Sequence, residues 1–249
     1  MIKLIGLGMY GEVPGSLDLS GFEIYVENYT FLVNEELIRD IERATRKTVK
    51  IATRSMLEEG VSDFVSMAVD RDIALFVGGD PLIATTHKII YLEALSKNVR
   101  FEVYHSSSVF TYAIGESGLD FYRFGAVCTV AAWRDNYKPL AFYDKMYNNI
   151  RLGLHTLLLL DYNSESGKSL NMRDAIDILK KAEDSRKLGF INDDTKIVLM
   201  LDLGTKAQRV IFDSVSKIYS DLPSYSMGCI IIPGPLTDLE RDILERVCK

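Results

Sequence analysis

Short aliphatic runs alternate with segments of helical periodicity along almost the whole chain. Strands are predicted at residues 2–5, 49–53, 73–77, 101–105, 127–133, 155–161, 196–203 and 228–232. Helices are predicted at residues 81–98, 142–153, 172–188, 207–219 and 237–247. Asn171 is the expected N-cap of one helix, and Thr237 or Asp238 that of the last. Alternation of this kind predicts an α/β architecture with mainly parallel strand pairing.

The serine cluster at residues 106–108 is the preferred domain boundary, because it is a polar break after a predicted strand. It predicts an N-terminal α/β domain at residues 1–106 and a C-terminal α/β domain at residues 107–249. Ligands of such folds bind beyond the carboxyl ends of strands, especially between domains. Polar or glycine-rich segments that directly follow strands are therefore the candidate sites.

Composition limits the partners and the compartment. The formal net charge of −6 argues against nonspecific nucleic-acid binding. The longest aliphatic runs, at 157–160 and 230–232, are far shorter than the roughly 20 residues of a membrane span. The 3 cysteines contain no C-x-x-C pair. An odd number of unpaired thiols is typical of a reducing compartment, so we expect a cytoplasmic protein.

Glycines at positions 6, 8 and 11 have the G-x-G-x-x-G spacing of a dinucleotide loop. Glu23 or Glu27 could supply the acid that binds the ribose. However, such a loop needs a helix at its third glycine, and Pro14 next to Gly15 makes an immediate helix improbable. A turn that serves a different ligand is the favoured interpretation.

The segment 74–87, ALFVGGDPLIATTH, places two glycines and an acid directly after an apolar strand. Asp80 could be the N-cap of a helix that begins at Pro81. Gly78 and Gly79 could equally let a ligand approach the backbone while Asp80 offers its carboxylate. The two interpretations are compatible.

The three histidines do not predict a metal site or a catalytic dyad. His87, His105 and His155 are not at metal-ligand spacing, and no cysteine accompanies them. His105 and His155 flank apolar strands and are expected to be packing or supporting residues. Serine-hydrolase and P-loop motifs are absent from the sequence. Residues alone identify no proton acceptor, so no catalytic residue is assigned and no metal is expected.

Several motifs together carry a resemblance that covers nearly the whole chain. They are GLGMY at 6–10, ENYT at 27–30, GGDPLIATTH at 78–87, GLDFYRFG at 118–125, FYDKMYNNIRLGLHTLLLLD at 142–161, DDTKIVLML at 193–201 and IIPG at 231–234. In this order and at these separations they resemble the archaeal type of the diphthine synthase family. That family consists of S-adenosylmethionine-dependent methyltransferases of the tetrapyrrole methylase superfamily.

The resemblance implies a homodimer of two-domain α/β chains with S-adenosylmethionine in the cleft between the domains. Carried over by motif, the cofactor-binding residues are Met9, Asp80, Ile83, Ser108, Val109, Leu160, Leu203 and Gly228. The implied reaction is methylation of the amino group on a 3-amino-3-carboxypropyl-histidine of translation elongation factor 2. Methyl transfer from a sulfonium depends mainly on in-line positioning, which suits a chain without an evident acid–base pair.

The chain departs from the family pattern at three places. The segment 11–26 is shorter, Leu203 stands where the family has a small residue, and Gly228 stands where it has a histidine. Three alternatives therefore stay open. They are a methylase for a tetrapyrrole such as a precorrin, a non-catalytic cofactor- or partner-binding protein, and a nicotinamide oxidoreductase.

Overall fold

The computed structural model describes residues 1–15, 17–31, 33–163 and 168–248. This part of the chain divides into two compact units. The first unit comprises residues 1–109, and the second comprises residues 110–163 and 168–248. The α/β fold class predicted from the sequence is confirmed. No helix within these described ranges has the length and apolar character needed to cross a membrane.

The first unit is built on a fully parallel five-stranded sheet. Its strands are β1 (Ile2–Gly6), β2 (Phe22–Glu27), β3 (Val49–Ala52), β4 (Asp72–Val77) and β5 (Phe101–Tyr104), in the spatial order β3-β2-β4-β1-β5. Alternate residues of β4 enter separate apolar clusters, with Leu75 in one and Phe76 in the other. Burial on both faces explains the continuous aliphatic runs in the sequence.

Helices α1 (Glu35–Thr45), α2 (Val61–Asp70) and α3 (Lys88–Ser96) belong to this unit, and Ser55–Glu59 form a short π-helical segment. Asn34 caps α1, since its side chain accepts a hydrogen bond from the Leu37 amide at 2.8 Å. In the described residues the chain passes from β1 to β2 without an α-helix. The sequence expectation that Pro14 prevents a helix after the glycine motif is therefore confirmed.

The rest of the chain adds a second five-stranded sheet and five α-helices among the described residues. The strands are β6 (Cys128–Val130), β7 (Thr156–Leu160), β10 (Lys196–Leu201), β11 (Arg209–Ser214) and β12 (Gly228–Ile232), while β8 (Tyr162–Asn163) pairs with β9 (Lys168–Ser169). The helices are α4 (Val109–Ser117), α5 (Ala141–Arg151), α6 (Met172–Arg186), α7 (Val215–Ser220) and α8 (Asp238–Val247).

The predicted parallel pairing is wrong for most of the second sheet. Its order is β11-β10-β12-β7-β6, and only β6 and β7 run parallel. The helix predicted at 207–219 is also wrong, because Arg209–Ser214 form strand β11 and the helix begins at Val215. The β-forming residues of β11 pair along the whole length of β10. This pairing with the preceding strand is not visible in the pattern of residues 207–219 alone.

Glu240 is the centre of a buried hydrogen-bonded cluster in the second unit. Its carboxylate accepts from the amides of Asp120 (3.1 Å) and Thr237 (2.8 Å), from the Thr237 hydroxyl (2.9 Å) and from His155 Nε2 (2.9 Å). Arg123 forms an ion pair with it. Burial raises the pKa of Glu240, but these hydrogen bonds outweigh burial and lower the pKa to about 2. His155 is thus a structural residue, in agreement with the sequence interpretation.

Replacing Glu240 by Gln is expected to lower the free energy of unfolding by about 3 kcal/mol, because Arg123 and His155 lose a buried anionic partner. The folded-state pKa lies below the ordinary value of 4.5. The carboxylate therefore contributes fully above about pH 5, and its contribution is lost as the pH falls towards about 2. Denaturant unfolding at several pH values measures both effects. Glu245→Gln on the exposed face of the same helix is the control. Equal losses for the two variants would contradict the assignment.

Candidate functional site

Three loops meet at the carboxyl edge of the first sheet, directly after β1, β4 and β5. Gly8 and Gly79 exchange backbone hydrogen bonds, with N···O distances of 3.1 and 3.2 Å. The Met9 amide donates to Ser107 Oγ at 3.0 Å, which joins the loop after β1 to the loop after β5. These contacts bring together the glycine motif, the GGDP segment and the serine cluster singled out in the sequence.

Two of these glycines are required by backbone shape and by crowding. Gly8 has φ +62°, and a Cβ there would lie 2.7 Å from Ser106 Oγ. Gly6 has no positive φ, but a Cβ would lie 2.6 Å from the Gly79 carbonyl oxygen. The first two glycines of the motif thus allow close backbone approach at the strand end. The third, Gly11, lies outside any helix, so the dinucleotide interpretation loses its structural basis.

Asp80 joins the loop after β4 to the loop after β5. Its side chain is only 6% exposed. Oδ1 accepts from the Leu82 amide at 2.9 Å, and Oδ2 accepts from the Ser106 amide at 3.2 Å and lies 2.8 Å from His105 Nδ1. A carboxylate offers about four lone-pair sites. Three donors from the described residues therefore leave about one site for a ligand.

The prediction that Asp80 caps a helix beginning at Pro81 is wrong, because α3 begins at Lys88. Ala84 has φ +57°, which a helix does not accommodate. His87 Nδ1 lies 3.2 Å from the Pro81 carbonyl oxygen and 2.9 Å from Thr85 Oγ1, so the side chain stabilises the turns. Burial lowers the pKa of His87 to about 4, which keeps this imidazole neutral at pH 7.

The predicted residues of the first unit lie on the three loops or directly after them. Met9 and Val109 are half-buried and Ser108 is buried. Ile83 is 47% exposed. An accessible apolar side chain beside a buried carboxylate can contact a mixed polar and apolar ligand.

The predicted residues of the second unit lie at one edge of its sheet. Leu201 pairs with Gly228, and Leu159 pairs with Cys229. Continuing that antiparallel register by one residue sets Leu160 opposite Gly228. Leu203 follows β10 by two residues, so Leu160, Leu203 and Gly228 share this edge.

Gly228 is at a crowded position. A Cβ there would lie 2.9 Å from Met172 Cε, 3.0 Å from Leu201 Cδ2 and 3.1 Å from the Met200 carbonyl oxygen. A histidine at position 228 would therefore require rearrangement of its neighbours. Nearby, Asp202 has φ +49°, and its Oδ1 accepts from the amides of Ser226 (2.8 Å) and Met227 (3.0 Å).

The sequence does not predict two sets of hydrogen bonds at the carboxyl edge of the first sheet. Ser106 and Ser107 were interpreted as a domain boundary, yet their groups bind Asp80 and Met9. Glu27, offered for a ribose, is fully buried, and its carboxylate accepts from the amides of Tyr29 and Thr30 and from the Thr30 hydroxyl. Burial raises its pKa. The sequence signal that could have identified these serines as site residues is their position as a polar cluster directly after a strand.

The described residues contain no group of three His, Cys, Asp or Glu side chains that could hold a metal ion.

The comparisons with known proteins identify the family. The model for tetrapyrrole (corrin/porphyrin) methylases matches residues 26–219. The chain is thus a member of that methylase class.

Full-length relatives narrow the class. The diphthine synthase of Methanococcus aeolicus is 31% identical, covering 100% of this chain and 98% of that protein. The diphthine synthase of Methanocaldococcus jannaschii is 31% identical, with 100% and 99% coverage. A crystal structure of diphthine synthase matches with a TM-score of 0.84 at 26% identity, covering 99% of this chain and 95% of that one. The chain belongs to the diphthine synthase family, which confirms the resemblance in the motifs, and it is a methyltransferase.

Gly8→Ala is expected to destabilise the first unit more than Gly21→Ala does. Both glycines have positive φ, but a Cβ at position 21 meets no atom within 4 Å. Gly21→Ala measures backbone strain alone, about 1 kcal/mol. Gly8→Ala measures the same strain together with the crowding of the new Cβ. Displacing Ser107 Oγ breaks its bond to Met9, which should add about 1 kcal/mol. Denaturant unfolding measures both losses, and equal values would show that the close approach at Gly8 has no energetic role.

Proposed function

We propose that this protein transfers methyl groups from S-adenosylmethionine to the amino group of the 3-amino-3-carboxypropyl-histidine in translation elongation factor 2. This is the diphthine synthase step of diphthamide biosynthesis. The observation that carries the proposal is the match to curated diphthine synthases over the full length of both chains. A full-length match includes the loops at both sheet edges, where ligand-binding residues of α/β proteins lie.

The loops of the first unit fit the proposed cofactor chemically. S-adenosylmethionine combines hydroxyl groups, an adenine ring and a cationic sulfonium. Asp80 keeps about one acceptor site for a hydroxyl, the Gly8–Gly79 pair allows backbone approach, and Ile83 offers an exposed apolar contact. We propose Met9, Asp80, Ile83, Ser108 and Val109 as cofactor-binding residues of this unit.

We propose Leu160, Leu203 and Gly228 as cofactor-binding residues of the second unit. Their common edge supports the assignment. Leu203 is 9% exposed and adds bulk to that edge. Gly228 offers no side-chain donor, so it can contribute only backbone groups. Cofactor binding should therefore persist and be weaker than it would be with a side-chain donor at position 228.

Three further properties belong to the proposal. The protein partner is elongation factor 2, the compartment is the cytoplasm, and the protein is a homodimer. Among the alternatives, precorrin methylation is less favoured, because the full-length relatives are diphthine synthases. Nicotinamide binding is disfavoured because no helix directly follows Gly11 in the described residues and because the Glu27 carboxylate is fully buried.

The function is tested with labelled S-adenosylmethionine and elongation factor 2 that carries the unmethylated diphthamide precursor. Label is expected in the precursor-bearing factor and not in the unmodified factor, because only the precursor presents the amine. Absence of label in both would overturn the proposal. Cofactor binding without transfer would favour a binding protein.

Asp80→Asn is expected to weaken S-adenosylmethionine binding at least about tenfold, because an amide is a poorer acceptor for a hydroxyl and disturbs the bonds to Leu82 and Ser106. Calorimetry measures the dissociation constant. Asp63→Asn, on the exposed face of α2, is the control and should bind as the wild type does. No binding to the wild type at millimolar cofactor would contradict the cofactor assignment itself.

A further inference from the structure

His105 combines an exposed imidazole with a buried carboxylate partner. It follows β5 directly, and its Nδ1 lies 2.8 Å from Asp80 Oδ2. The His105 side chain is 64% exposed, whereas that of Asp80 is 6% exposed. This differs from His87 and His155, which are buried.

The surrounding bonds define the direction of this hydrogen bond. The Leu82 and Ser106 amides already donate to the two oxygens of Asp80. Asp80 is therefore the acceptor, and the imidazole donates through Nδ1–H. The lone pair is then on Nε2, for which the described part of the chain provides no hydrogen-bond partner. A carboxylate that fixes the tautomer of a histidine in this way leaves Nε2 available as a base.

We propose that His105, oriented by Asp80, is the general base that takes the proton from the acceptor amine. This inference rests on the methyl transfer proposed above. An amine attacks only through a free lone pair, so the ammonium form of the acceptor must first lose a proton. Imidazole is the side chain most often used for such a transfer.

The step balances in atoms and charge. His105 Nε2 takes one proton from the ammonium group, and the free amine lone pair forms the new N–C bond. The C–S bond of the sulfonium breaks, its electron pair stays on sulfur, and a neutral thioether leaves. The imidazolium then releases its proton to water, which its exposed face permits. Each methyl group transferred thus releases one proton.

His105 lies next to the proposed cofactor-binding residues of the first unit. Asp80 accepts hydrogen bonds from His105 and from the Ser106 amide. The Ser106 side chain in turn packs closely against the turn at Gly8. One carboxylate therefore orients the imidazole and fixes the loop next to the residues proposed to bind S-adenosylmethionine. A purely structural role would use only the Nδ1–H bond and would not need Nε2.

His105→Asn separates these two roles. The asparagine amide can donate to Asp80 from nearly the position of Nδ1, but it has no basic nitrogen. We expect the dissociation constant of S-adenosylmethionine, measured by calorimetry, to stay within about twofold, because no proposed cofactor contact is removed. The kcat of methyl transfer should fall by about 100-fold with little change in the KM of the acceptor.

His105→Ala supplies a second test, since truncation opens space for an added base. Imidazole in the buffer should restore part of the activity of His105→Ala and should not stimulate the wild type. The loss in His105→Asn should also shrink as the pH rises, because bulk hydroxide then provides the free amine. A nitrogen-15 NMR spectrum of the wild type should show that the neutral imidazole of His105 carries its proton on Nδ1.

The outcomes distinguish this inference from the function on which it rests. Wild type that transfers no methyl group to the precursor overturns the proposed function and the base with it. Active wild type with an equally active His105→Asn overturns the base alone. A large activity loss without imidazole rescue, without pH recovery and with weakened cofactor binding would show that His105 only supports the loop. A neutral His105 imidazole that carries its proton on Nε2 would also contradict the proposal.

Discussion

A single buried carboxylate determines the arrangement of the loops at the edge of the first sheet. Asp80 binds the turn that follows it through the Leu82 amide, and it binds the loop after β5 through Ser106 and His105. The backbone pair between Gly8 and Gly79 adds the loop after β1. Without Asp80, the segments after β4 and β5 would lose their direct side-chain connection. The cofactor contacts proposed for the first unit and the proposed base depend on this geometry.

Much of the fold could be predicted from local sequence, because its signals are local. The buried strand β4 gives a continuous apolar run, and β12 has the predicted bounds, Gly228–Ile232, whereas β2, in which Glu23 and Glu27 interrupt the apolar residues, is not predicted. Asn171 caps α6 by accepting from the Arg173 amide, and Thr237 forms a capping box with Glu240. Each of these features involves residues within one turn or one strand, where periodicity and capping preferences apply directly.

The remaining features depend on contacts that extend beyond one strand or one helical turn. Strand β11 is a strand because β10 lies beside it. The turns at 81–87 are set by the side chain of His87 and by the positive φ of Ala84. At the site, the Asp80–His105 contact joins residues 25 positions apart. A sequence pattern can show that His105 follows a strand, but only the fold shows which carboxylate it meets. Motif resemblance supplied the proposed site residues, and geometry supplied the candidate base.

Two carboxylates that are saturated by protein donors differ from Asp80, the proposed cofactor-binding residue. Glu183 and Glu240 each accept from at least four groups of the protein. A carboxylate has about four lone-pair sites, so these two are saturated by the protein and stabilise the fold. Asp80 accepts from three, and one of its partners is the exposed imidazole of His105. Asp80 thus keeps acceptor capacity that Glu183 and Glu240 lack, and its contact with an exposed imidazole is the combination that the proposed ligand binding and the proposed proton transfer require.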